Sequence, residues 1–288
     1  MLHLTVNSWY LRKMTFKRAE RKNAKLRLAL SGVAGAGKTY SALLIAKEFG
    51  SRIAVMDSER GSASLYADLV PFDVCELEGK GPQDYIATIK QAAADGYEVL
   101  VIDSYSHSWI GALDVIDKMG GWIKGGKVVT PLVAKLVDAI LSYPGHVIAT
   151  MRSKSDFAIE TVNGKATMKK MGMATVARDG TDYEFSVMLE IEREGGVTVS
   201  KTRCSALADG AYTLDDIPKI ARTLRDWLGQ GAPLSPREAM TEKIRFAQSP
   251  EDLIALIPTL KEMSPEDIAA LKPAYSARKA ELSGGSDE

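Results

Sequence analysis

The sequence predicts an α/β fold: a mostly parallel central sheet flanked by helices, followed by late β-hairpins and a small C-terminal helical appendage. Three observations predict it. Strands and helices alternate from residue 26 to about residue 150. The strands are short, continuous apolar runs, as expected for strands covered on both faces. A glycine-rich loop joins the first strand directly to the first helix.

Residues 1–25 read as a basic, partly disordered arm. Residues 12–25 carry Arg12, Lys13, Lys17, Arg18, Arg21, Lys22 and Lys25 against Glu20 alone. Met14 opens a run that leads straight into the first strand, so residues 1–13 read as an upstream extension of a shorter product. The core is expected over 26–229. Residues 26–30 form its first strand, and residues 40–49 a helix that Gly50 closes at its C-terminus. A buried strand follows at 52–56. Residues 82–94 are helical, with Tyr85, Ile86, Ile89 and Ala93 on one face. Residues 99–102 make another apolar strand. A helix over 131–141 is broken by Tyr143-Pro144-Gly145, and 146–150 is the next strand.

After residue 155 the pattern changes. Asn163-Gly164 suits a type I′ turn between strands at 157–162 and 165–168. A second hairpin runs over 184–193 and 197–203 around Gly195-Gly196, and a helix at 217–228 closes the core. Residues 230–288 form a linker and a helical hairpin with a disordered end. Ser249-Pro250-Glu251-Asp252 and Ser264-Pro265-Glu266-Asp267 repeat one helix-start pattern: Ser as N-cap, Pro at the first helical position, Asp three residues after the cap.

Composition bounds the function. Of the 288 residues, 45% are hydrophobic, which is ordinary for a globular protein. No apolar run is long enough to cross a bilayer. The first residues lack a basic leader before an apolar core, so they do not read as a secretory signal. Cys75 and Cys204 lack metal-ligand spacing and are too few for a disulfide framework, so a reducing cytoplasm is expected. Formal net charge is zero, which by itself says nothing about nucleic acid. The basic arm and a second basic stretch over 152–178 do bear on it.

The chemistry starts at Gly32-Val33-Ala34-Gly35-Ala36-Gly37-Lys38-Thr39, which has the pattern Gly-x4-Gly-Lys-Thr. Glycines let successive N–H groups cup a phosphate, and the helix opening there adds its positive end. Lys38 reaches the β and γ phosphates, and the Thr39 hydroxyl is a Mg²⁺ ligand. Gly32 through Lys38, with Thr39 and Tyr40, are therefore the expected nucleotide-binding stretch, and ATP with Mg²⁺ the expected ligands. Asp103 ends an apolar strand after this loop, the position of a second metal-holding carboxylate. Glu59 lies just past the strand at 52–56. In an open α/β sheet the carboxyl ends of neighbouring strands share one crevice, so Glu59 is a candidate to activate water. Asp57 reads as structural.

The loop, with Met56-Asp57-Ser58-Glu59-Arg60-Gly61-Ser62-Ala63-Ser64-Leu65-Tyr66-Ala67 and Val101-Ile102-Asp103-Ser104, resembles the core of RecA-type recombination ATPases. The resemblance implies a RecA-like P-loop NTPase core with Glu59 as the catalytic carboxylate. Val199-Ser200-Lys201-Thr202-Arg203 is similar to a late-strand pair of cations that completes a neighbouring subunit's site in such enzymes. On that basis Lys201 and Arg203 are candidate catalytic residues in a homo-oligomer. The physical need is a cation where charge accumulates on the phosphate.

A closer resemblance is to phage-encoded ATP-binding, AAA-family proteins of the shortened, single-strand annealing type. It covers roughly residues 14–215, and shares Ser106-His107-Ser108-Trp109, Ala149-Thr150-Met151-Arg152-Ser153-Lys154 and Arg178-Asp179-Gly180. It implies a bacterial host cell, a role in phage recombination or annealing, and single-stranded DNA as partner. A nucleotide-switched DNA- or protein-binding module with little turnover is the alternative. Arg152, Lys154, Lys165, Lys169, Lys170 and Arg178 are the expected DNA contacts, because cations neutralise backbone phosphates. The acidic tail is a candidate contact for a single-strand-binding protein. RecA carries a phosphate-sensing Gln after its fourth core strand. Here Ala149-Thr150-Met151-Arg152 has none, which leaves Thr150 or Arg152 for that role.

Overall fold

The computed structural model describes residues 24–283 apart from 163, 164, 209 and 248, with the backbone alone over 155–173. Strand β1 (Arg27–Gly32) is buried along its whole length. Its alternation decides which layer each side chain joins. Leu28 and Leu30 pack with α1 (Lys38–Lys47) and α5 (Ile217–Gly229) on one face. Ala29 packs with α2 (Pro82–Ala94) and α4 (Trp122–Ser142) on the other. The result is a three-layer α/β core with an apolar cluster on each side of the sheet.

The remaining strands are β2 (Ile53–Asp57), β3 (Asp73–Glu76), β4 (Val99–Asp103), β5 (His146–Val162), β6 (Lys165–Thr175), β7 (Val187–Ile191), β8 (Gly196–Thr202) and β9 (Tyr212–Thr213). The sheet order is β3-β2-β4-β5-β1-β7-β8-β9, and β6 pairs with β5 off this path. Pairing is parallel from β3 through β7 and antiparallel from β7 through β9. One edge therefore collects the carboxyl ends: Asp57 lies opposite Asp103, and Gly32 lies between Arg152 and Ile191. The opposite edge is pinned by Arg27. Its guanidinium donates to the carbonyls of Leu26, Leu141, Tyr143 and Gly145, which ties β1 to the C-terminus of α4. Burial pushes its pKa down to about 10.

Several expected elements differ in extent. The helix expected from Pro131 begins nine residues earlier at Trp122, and Pro131 sits inside it. Its ring faces solvent while Val129, Val133, Leu136 and Ile140 face the core, so the helix loses a hydrogen bond but keeps its packing. Helix α3 (Tyr105–Lys118) fills a stretch for which the apolar pattern had suggested no element. The strand expected at 146–150 continues to Val162, so one strand serves both the core sheet and the hairpin with β6. The strand expected from residue 184 starts at Val187, because Thr181–Glu184 forms a 3₁₀ turn.

In the tail, the Ser249 and Ser264 starts are realised at α7 (Pro250–Ala255) and α9 (Pro265–Ser283). Instead of a simple hairpin, the described tail also holds α6 (Pro236–Phe246) and α8 (Ile257–Lys261). Met240, Ile244, Ala247, Leu253 and Leu271 make a separate small core. The expectations of disorder for the arm and the last residues fall on 1–23 and 284–288, outside the described residues. No helix among the described residues is long and apolar enough to cross a membrane.

Candidate nucleotide and metal site

The loop between β1 and α1 has the backbone its glycines predict. Gly35 has φ 78° and Gly37 φ 89°, in the left-handed region that favours glycine. Gly32 is needed for a different reason: a Cβ there would lie 2.5 Å from the Ile191 carbonyl oxygen of β7. The Lys38 ammonium folds back over the loop and donates to the Val33 carbonyl at 2.8 Å. Burial lowers its pKa, and the nearby carboxylates of Asp103 and Glu59 oppose that shift. Tyr40 is exposed on the first turn of α1, with its ring 6.2 Å from that of Tyr66.

Asp103, at the end of β4, is buried and faces this loop. The Thr39 hydroxyl donates to its Oδ2 at 2.7 Å, and the Thr150 hydroxyl of β5 donates to its Oδ1 at 2.5 Å. Burial raises the Asp103 pKa, against the pull of these two hydrogen bonds. A hydroxyl and a carboxylate side by side are hard oxygen donors. They fit Mg²⁺, which takes few protein ligands and completes its shell with water and phosphate. Among the described residues there is no group of three or more His, Cys, Asp or Glu that could hold a metal by itself. The loop, Lys38 and the Thr39–Asp103 pair thus suit a metal–nucleotide complex rather than a free ion.

Glu59 follows β2 on the same edge. Asp57 is structural, as expected: it accepts from the N–H groups of Glu59 at 2.5 Å and Ala63 at 3.0 Å, which sets the path of the chain between them. Arg60 has φ 58° and Gly61 φ 80°, so two left-handed residues turn the chain right after Glu59. Below, Ser58 accepts from the Ser104 N–H at 2.9 Å and lies 2.7 Å from His107 Nδ1, while the Tyr85 hydroxyl donates to the Ser104 carbonyl at 2.8 Å. This buried net joins the ends of β2 and β4 and the start of α3. His107 belongs to it. Its pKa is lowered by burial first and then by Arg152 and Lys80.

Arg152, one of the expected DNA contacts, reaches into this crevice. Its Nη2 lies 2.7 Å and its Nε 3.1 Å from Glu59 Oε1. The Ser106 hydroxyl accepts from its backbone N–H at 2.9 Å. Position had hinted at this, since Arg152 stands two residues after Thr150 at the carboxyl end of a core strand. Charge pattern alone had placed it with the basic stretch.

The other cations are dispersed. Lys154 is exposed at the root of the β5–β6 hairpin, and Arg178 is part-buried beyond it. The side chains of Lys165, Lys169 and Lys170 fall outside the described residues. Lys201 pairs across from Met188, and Thr202 from Val187, at the amino end of β7 and far from the chain's own phosphate loop. Its ammonium donates to the carbonyls of Asp182 at 2.9 Å and Tyr183 at 2.6 Å. β8 ends at Thr202, so strand alternation does not extend to Arg203, which is exposed.

A search of curated proteins finds no match to this chain. Residues 24–209 match the family model described as AAA domain. The match covers the phosphate loop, Glu59, Asp103 and Arg152 and takes in more than half of the chain, so the protein belongs to the AAA domain family of P-loop, nucleotide-binding ATPases.

Proposed function

We propose that this protein is a Mg²⁺-dependent, RecA-like ATPase of phage origin that acts in the bacterial cytoplasm. It assists DNA recombination or single-strand annealing. The observation that carries the hydrolytic part is the convergence of Lys38, Thr39, Asp103 and Glu59 on one sheet edge. Bound Mg²⁺, held through Thr39 and Asp103, would neutralise charge on the phosphates. Lys38 leaves the Val33 carbonyl for the phosphate oxygens. Glu59 takes a proton from water as the water oxygen bonds to the terminal phosphorus. The bond from that phosphorus to the bridging oxygen breaks, and its electron pair stays on ADP.

Single-stranded DNA is the proposed polynucleotide, because the β5–β6 hairpin leaves the sheet beside the phosphate loop and carries basic residues on both strands. A homo-oligomer is proposed because Lys201 and Arg203 lie at the wrong end of the sheet for their own loop. Their proposed role is therefore at a neighbour's site. The acidic tail is the proposed contact for a single-strand-binding protein. ATP hydrolysis measured with and without single-stranded DNA, at two salt concentrations, tests this function. Stimulation that fades with added salt is expected. No stimulation at either salt would remove DNA from the proposal.

One observation favours the second function, a nucleotide-switched binding module: Glu59 is engaged by Arg152 and so is not free for water. Glu59→Gln separates the two. If DNA annealing persists in this variant while hydrolysis is abolished, ATP acts as a ligand only.

A further inference from the structure

The Arg152–Glu59 pair spans the catalytic crevice. Arg152 is on β5 and Glu59 follows β2, with β4 between them in the sheet. Neighbouring strands are about 4.8 Å apart, so the two backbones are separated by roughly 10 Å. The guanidinium therefore crosses above the end of β4, where Asp103 holds the Thr39 hydroxyl. The Arg152 backbone pairs with Gly32 at the start of the loop, and its charge is near enough to act on Lys38. A nucleotide phosphate placed by Lys38 and Thr39 arrives within reach of it.

Thr150 is not an equal candidate for this encounter. Its hydroxyl is committed to Asp103 and buried beneath it. The Arg152 side chain is 46% exposed and Glu59 29%, so their pair can open without unpacking a core. A guanidinium binds phosphate oxygens at least as well as a carboxylate, through a planar fork. While Arg152 occupies Glu59 Oε1 through both Nε and Nη2, that oxygen is engaged and is not open to a water molecule.

We propose that Arg152 exchanges partners during turnover, leaving the Glu59 carboxylate for the terminal phosphate of bound ATP. One residue then does two things: it restrains Glu59 in the empty site, and it stabilises charge on the transferring phosphoryl group in the filled one. ADP lacks the γ-phosphate that Arg152 would bind, so the pair re-forms after phosphate departs. The backbone suits this task. Arg152 donates its N–H to Ser106, and its carbonyl accepts from the Val176 N–H at 2.7 Å, so the main chain stays fixed while the side chain swings.

This inference rests on the proposed nucleotide hydrolysis, and its test separates the two. Fluorescent ADP and a non-hydrolysable ATP analogue are titrated into the wild-type chain, Arg152→Ala and Arg152→Lys, and ATP turnover is measured in parallel. Arg152→Ala should leave ADP affinity within about 2-fold but weaken the triphosphate about 10-fold and slow turnover about 100-fold. Arg152→Lys, which keeps the charge but loses the fork, should fall between. Faster turnover in Arg152→Ala would make the arginine a restraint alone and overturn the exchange. Equal loss of both nucleotides would make it structural and overturn it too. If the wild type binds neither nucleotide, the hydrolytic function itself fails. If it binds both and Arg152→Ala behaves identically, only the exchange fails.

Discussion

His146 shows how one buried side chain ties the core to pH. Its Nδ1 accepts the Leu26 N–H at 3.0 Å at the start of β1, which requires the neutral ring. Burial, then the positive charges of Lys25 and Arg27, push its pKa down to about 3. The unfolded chain binds this proton near pH 6.5 and the folded chain resists it. The stability is fully present above about pH 6.5 and is lost as pH falls towards 3. At pH 5 the loss is about 2 kcal/mol relative to pH 7.5. Urea unfolding at the two pH values checks this, with His146→Gln as the control that can still accept from Leu26. An equal acid loss in the control would assign the effect to other groups. His146 is invisible to motif reading, because nothing in the sequence announces which main-chain donor it faces. The turn made by Gly35 and Gly37 ahead of Lys38 and Thr39 was legible, since a local backbone shape and a fixed spacing encode it.

At the scale of elements, caps and periodicity were legible and lengths were not. Ser249 is a complete capping box: its hydroxyl accepts the Asp252 N–H at 3.1 Å, and its own N–H donates to Asp252 Oδ2 at 3.0 Å. Ser249→Ala should cost the tail about 1 kcal/mol. Limited proteolysis should then cut the tail faster while nucleotide binding is unchanged; unchanged cleavage would show that packing, not the cap, sets its stability. Pro131 misled because a proline more often starts a helix than sits within one. Here solvent lies on its side of α4, and burial of Val129 and Val133 on the other side outweighs the missing hydrogen bond. β5 outran its apolar run because β6 supplies hydrogen-bond partners where hydrophobicity ends.

At the scale of the whole molecule, the tail has its own small core around Leu253 and Leu271. It meets the ATPase core across a cleft of about 580 Å³ between α2, α4, α6 and α9, lined by both polar and apolar side chains. The crossing ion pair, Arg245 with Asp138 at 3.8 Å, is exposed and worth little. A chain ending at residue 230 is therefore expected to fold and to bind nucleotide within about 2-fold of the full chain, a ratio at or below the energy of one surface ion pair. Isothermal titration of both chains checks this; loss of binding in the shorter one would make the tail part of the core.

By itself the sequence determined the α/β class and the position of the phosphate loop, and it put Thr39, Asp103 and Glu59 forward as candidates, because these depend on local backbone geometry, alternation and spacing along the chain. Only the tertiary structure decided which cation serves which group. Register put Lys201 at the far edge of the sheet and drew it to the Asp182 and Tyr183 carbonyls, while strand order brought Arg152 over Asp103 to Glu59. A charge acts on whatever lies within a few ångströms, and those neighbours are set by strand order and register, which no short stretch of sequence contains.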